Sequence, residues 1–85
     1  MSINFTDYGL HHSFSRHGID RKRIEKGLSK GIWDIVTEYK TNNDIIFTKD
    51  FIAIVIDEDN NLKTAFMYNR RYYKRKCKQG KSCFA

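Results

Sequence analysis

Proline is missing from this sequence, cysteine occurs only twice, and no stretch of the 85 residues stays apolar for long. Each absence excludes something. Without proline, polyproline segments and proline-rich linkers fall away. Two cysteines make at most one disulfide, far from the cysteine-dense frameworks that hold small secreted domains together. No run approaches the roughly 20 apolar residues that a membrane-spanning helix needs. The opening MSINFTDYGLHH has neither a basic start nor a useful apolar stretch. The expectation is therefore a chain without a signal peptide, acting in a reducing cytoplasm. Glycine-rich phosphate loops, serine-hydrolase elbows and nucleotide-binding fingerprints are also missing, and no cofactor is expected. At this length the chain is one domain, 1–85, with a modest core.

Acidic residues are absent from one region in particular. Residues 1–68 carry nine Lys/Arg against ten Asp/Glu, whereas residues 69–85 carry seven Lys/Arg and no acid, so the net charge of +6 is concentrated at the C-terminal end. Such a segment attracts polyanions. It lacks the apolar face that a membrane surface would require, so no membrane partner is expected. Tyr72 and Tyr73 lie among the cations and point to RNA, because tyrosine stacks on unpaired bases while Arg70, Arg71, Lys74 and Arg75 hold phosphate.

What is present reads as α+β. Thr6 or Asp7 can cap a helix running to His17, which Gly18 ends; Asp20 caps a second helix over Arg21–Lys30, which Gly31 ends. Ile24 and Leu28 face the core. From residue 32 the period becomes alternating: Trp33–Tyr39, Asp44–Lys49, Phe51–Asp57 and Leu62–Tyr68 are candidate strands. Thr41-Asn42-Asn43 and Glu58-Asp59-Asn60-Asn61 serve as hairpin loops, and Lys49-Asp50 as either a sharp turn or a bulge. FIAIVID is apolar enough for a central strand covered on both faces. The expected architecture is a helical part (1–31) whose two helices pack on one face of an antiparallel sheet (32–68) of three or four strands. A basic C-terminal tail (69–85) follows.

Three histidines fall within seven residues: His11, His12 and His17. At about 100° per residue, Leu10, Phe14 and His17 share one side of the first helix, and His12 and Arg16 the opposite side. With Leu10 and Phe14 as the buried stripe, His17 becomes a partly buried helix-end residue, while His12 and Arg16 project together from the far face. That pair suits RNA cleavage. A base must take the proton from a 2′-hydroxyl, an acid must protonate the departing 5′-oxygen, and a cation must hold the phosphate. Imidazole can act as acid or base near neutrality, and arginine grips phosphate through two donors. On the last strand, alternation places Leu62, Thr64, Phe66 and Tyr68 on one face and Lys63, Ala65 and Met67 on the other. Thr64 and Tyr68 then become polar groups on a common side. The Cys77-x5-Cys83 spacing is wider than zinc sites use, and no metal is expected. Asp57-Glu58-Asp59 reads as a turn.

The opening HHSFSRHGIDRKRIEKGLSKG resembles the start of small bacterial ribonuclease-toxin domains of the barnase–EndoU–colicin–RelE superfold. The shared pattern is His12-x-x-x-Arg16, then His17-Gly18-Ile19, then a second helix before an antiparallel sheet. The resemblance implies metal-independent cleavage of mRNA or tRNA, restrained by an acidic antitoxin or immunity protein. It makes His12 a general base or acid and Arg16 a phosphate clamp. Thr64 and Tyr68 would position the phosphate, with Tyr68 a possible second proton carrier and His17 a further candidate. Two other readings stay open: a non-catalytic nucleic-acid-binding module, and a small inhibitor docking on an acidic partner.

Overall fold

Two side-chain caps fix where the helical part begins and resumes. In the computed structural model, which describes residues 2–82, helix α1 spans Asp7–His17 and α2 spans Arg21–Lys30. The Thr6 hydroxyl accepts from the Gly9 amide and the Asp20 carboxylate from the Arg23 amide, each satisfying a donor that a helix start leaves open. Between the helices the chain reverses at Gly18, whose φ of 68° is left-handed. The Gly18 amide donates to the Phe14 carbonyl, the bond of a left-handed helix cap, and the Ile19 amide reaches back to the Ser13 carbonyl. That turn folds Ile19 into the core. His17-Gly18-Ile19-Asp20 therefore ends one helix, plants a core residue and caps the next.

Strands β1 (Ile32–Glu38), β2 (Asp44–Thr48), β3 (Ile52–Ile56) and β4 (Leu62–Met67) follow, close to the alternating stretches of the sequence. All neighbours pair antiparallel. Asn42 and Asn60 take the left-handed positions of their turns, at φ 59° and 64°. The Asp57 carboxylate accepts from the Asp59 and Asn61 amides. The amide bond from Asn61, foremost, holds its pKa below the usual carboxylate value, so the acidic cluster is turn chemistry. β2 and β3 are joined by a sharp turn through residues 49–51.

The basic segment is not a tail. Arg70–Gln79 form helix α3, capped by the Asn69 side chain accepting from the Tyr72 amide at 2.9 Å, and Gly80–Ser82 form β5, antiparallel to β1. The described residues thus form three helices and a five-stranded sheet in the order β4-β3-β2-β1-β5, rather than two helices and three or four strands. β3 supplies the reason. Its five residues are all buried and alternate between two clusters. Ile52, Ile54 and Ile56 join Ile24, Ile46 and Leu62 beneath α1 and α2. Ala53 and Val55 join Val36, Ile45 and Phe47 on the other face, where Tyr72, Tyr73 and Cys77 of α3 cover them. Helices on one face alone would have left half of β3 in water. Residues 83–85, and with them Cys83, lie outside the described residues.

α1 lies along β4, and its buried stripe differs from the sequence expectation. Gly9 and Ser13 are buried, Leu10 is half-buried, and Phe14 is 63% exposed. The approach is close: a Cβ on Gly9 would lie 2.1 Å from the Leu62 carbonyl oxygen, to which the Thr6 hydroxyl donates at 2.9 Å. The helix sinks its smallest side chains so that its backbone can meet that of the strand. β4 also departs from plain alternation. Ile56 pairs with Leu62 and Val55 with Thr64, leaving Lys63 as the extra residue of a bulge. Leu62 therefore shares the α1–α2 face with Ala65, whereas Phe66 and Tyr68 belong to the α3 face.

Gly9→Ala sets two effects against each other. Alanine improves helix propensity by about 1 kcal/mol, but the added methyl must push α1 off β4, an overpacking cost of about 1–3 kcal/mol. The expected result is a lower urea midpoint. An unchanged or higher midpoint would mean that the helix does not sit this close.

Candidate functional site

Because α1 turns Gly9 and Ser13 toward β4, His12 flanks the contact instead of facing away from the core. It is half-buried, and its ring lies 6.4 Å from that of His17, the two planes only 5° from parallel. Tyr8 meets His12 edge-on at 5.7 Å, and His17 leans on Phe66 at 5.4 Å. The helical wheel had separated these two imidazoles, but the structure brings them together. His17 is exposed rather than tucked under the helix end, and His11 is exposed as well. Arg16 is exposed and takes part in none of the ion pairs among the described residues.

Phe66 links the histidines to β4. On the same strand, with one residue between, lies Thr64, whose hydroxyl oxygen is buried without a hydrogen-bond partner. A buried hydroxyl in that state carries a desolvation cost. Tyr68 is committed elsewhere, its hydroxyl donating to the Thr48 carbonyl at 2.6 Å. Burial raises its pKa, so its proton is held.

α3 carries the charge. Six of its ten residues are Lys or Arg, and none is acidic. Tyr72 and Tyr73 do not wave among them, as a tail would have allowed. Both pack on Phe47, and the Tyr73 hydroxyl donates to buried Asp34 at 2.7 Å. Lys76 also turns inward, to Glu38. Arg70, Arg71, Lys74, Arg75 and Lys78 are left exposed, lining an open groove of about 500 Å³. Arg70–Lys74, Arg71–Arg75 and Lys74–Lys78 are like charges one helical turn apart, and Arg70 and Arg71 stand at the positive end of the helix dipole. A bound polyanion relieves both penalties.

Two further hollows continue around α3. One, of about 310 Å³, lies between β4 and α3 and is lined by Phe66, Tyr68, Arg71, Tyr72 and Arg75 among others. The next, of about 690 Å³, is walled by Trp33, Lys49, Phe51, Arg70 and Lys74, with Tyr68 and Tyr73 completing it. The three hollows share lining residues around α3, and Phe66, which lines the second, touches His17. Trp33, Lys49 and Phe51 escaped the sequence reading. Their signal was present in the only tryptophan of the chain and in a phenylalanine directly after a Lys-Asp turn. Among the described residues no three His, Cys, Asp or Glu side chains gather as a metal site requires, and no helix is long and apolar enough to cross a membrane.

Burial raises the phenol pKa values of Tyr68, Tyr72 and Tyr73, with the bond to Asp34 adding to the effect at Tyr73. The folded chain then binds more protons than the unfolded one once pH passes the ordinary tyrosine value of 10.0. Stability is therefore complete below that pH and falls as pH rises through and beyond it. Urea midpoints across this range should drop steeply, and Tyr73→Phe should flatten the decline. A flat profile in the parent protein would mean that α3 is not packed on the sheet.

Comparison with protein-family models, with curated proteins and with solved structures finds no match.

Proposed function

We propose that this protein is a small toxin-like endoribonuclease that cleaves mRNA or tRNA by general acid–base catalysis without metal. The observation that supports the reading is the near-parallel pair of imidazoles, His12 and His17, which Phe66 connects to hollows lined by exposed cations. One imidazole takes the proton from a 2′-hydroxyl, and the 2′-oxygen attacks the adjacent phosphorus. The bond to the 5′-oxygen breaks, and the other imidazole protonates that oxygen, leaving a 2′,3′-cyclic phosphate. Arg16 holds the phosphate as charge builds on it, and the Thr64 hydroxyl donates to a non-bridging oxygen. His17, a further candidate in the sequence, takes the second proton role in preference to Tyr68, whose proton is engaged by Thr48. The α3 cations hold the flanking strand without regard to sequence. With such a substrate the site of action is the cytoplasm. The cell that makes the protein must restrain it, and an acidic antitoxin or immunity protein covering α3 fits the surface.

Cleavage of end-labelled tRNA and mRNA in EDTA tests this. The parent protein should cut, while His12→Ala and His17→Ala should each lose about 10²–10⁴-fold in rate. Equal cutting by parent and variants would remove the imidazoles from the mechanism. The exposed cations of α3 also favour a second reading, a non-catalytic nucleic-acid-binding module. Binding that weakens steeply with salt while every RNA is recovered intact would select it.

A further inference from the structure

We propose that the cleft walled by Trp33 and Phe51 is a base-stacking subsite for unpaired nucleotides, its rim cations Lys49, Arg70 and Lys74 holding the flanking phosphates. Its lining includes neither histidine, and the proposal goes beyond the cleavage reading, taking from it only that the cellular strand is RNA.

Two backbone irregularities deliver the rings. β1 pairs Ile32 with Thr48 and Asp34 with Phe47, so Trp33 is the extra residue of a bulge, a device that re-aims a side chain. Phe51 sits at φ 62° in the turn between β2 and β3, whereas the other left-handed non-glycine residues, at 42 and 60, are asparagines. Asparagine or glycine suits that conformation better than a bulky ring. Core burial does not justify the ring either, since Phe51 is 62% exposed and Trp33 55%. Phe51 leans on Tyr68 at 6.2 Å but takes no part in the core, its local conformation does not call for an aromatic, and both rings line one cleft.

The lining also identifies the occupant. Three of its residues are cations and none is acidic. The hydroxyls of its two tyrosines, Tyr68 and Tyr73, donate to Thr48 and Asp34. What remains is flat aromatic surface between flexible cations, with no side-chain amide or free hydroxyl to read a base edge or a peptide group. That combination fits single strands with little sequence preference. A volume of about 690 Å³ falls within the range of built ligand sites.

The full-length chain is titrated with oligothymidylate and 2′-O-methyl oligouridylate of about ten nucleotides. Neither carries a 2′-hydroxyl to be cleaved, so this experiment and the cleavage assay fail independently. Trp33 is the sole tryptophan and reports directly. Its emission should be quenched saturably by both oligomers. An abasic strand of equal length and polyglutamate should bind about tenfold more weakly or worse, since one stacked base is worth about that factor. Phe51→Asn keeps a residue suited to the turn, so it should leave the melting temperature equal or higher while weakening binding about tenfold. Trp33→Ala, followed by anisotropy of a labelled strand, should weaken it similarly. Unchanged Trp33 emission at saturation would overturn the proposal, as would full affinity in Phe51→Asn. Equal affinity for the abasic strand would reduce the cleft to a phosphate site, and tighter binding of polyglutamate would assign it to an acidic protein; either result overturns base stacking.

Discussion

Five consecutive buried residues in β3 constrain everything else. Ile52, Ile54 and Ile56 need cover on one side of the sheet, Ala53 and Val55 on the other. α1 and α2 can cover only the first side, so the last segment has to fold back as a helix despite its composition. α3 is a poor helix by its own means, with cations at its positive end and repulsion along its outer face. It is held by what it touches: Tyr72 and Tyr73 against Phe47, Tyr73 bonded to Asp34, Lys76 paired with Glu38, and Asn69 closing its start. The same residues that secure the core push the remaining cations outward into one field. Architecture and electrostatics therefore share a cause.

Much of this was legible in the sequence, and the failures have physical reasons. Caps and glycines placed α1 and α2 because Thr6, Gly18 and Asp20 act locally, through bonds to residues a few positions away. Alternation placed four strands for a similar reason. α3 went unseen because lysine and arginine dominated the reading. Yet Asn69 as a cap, with Tyr72, Tyr73, Lys76 and Cys77 at helical spacing, carried the pattern of a one-sided helix. FIAIVID already demanded cover on both faces, and nothing but that segment was left to supply it.

The candidate site was half legible. His12, His17 and Arg16 stood out by residue type, but their relation depended on which face of α1 is sunk, and a hydrophobic wheel weighs Leu10 and Phe14 above Gly9 and Ser13. Backbone-to-backbone packing rewards absence of side chain, which no hydropathy measure registers. The bulge at Lys63 was hidden for a comparable reason: one extra residue reverses the facing of Leu62 without leaving a mark in composition. Trp33 and Phe51 were hidden likewise, since a bulge and a left-handed turn appear only once strands are paired.

The crowding of like charges on α3 makes ionic strength act in two directions at once. Added salt shields the exposed guanidinium and ammonium groups from one another, which favours the packed helix and with it the second face of the sheet. The same shielding weakens the hold of those groups on any polyanion. The fold of α3 and its attraction for polyanions therefore draw on a single reservoir of repulsion. In dilute buffer the free chain is at its least settled, and any polyanion held there would also serve as the missing counterion of the fold.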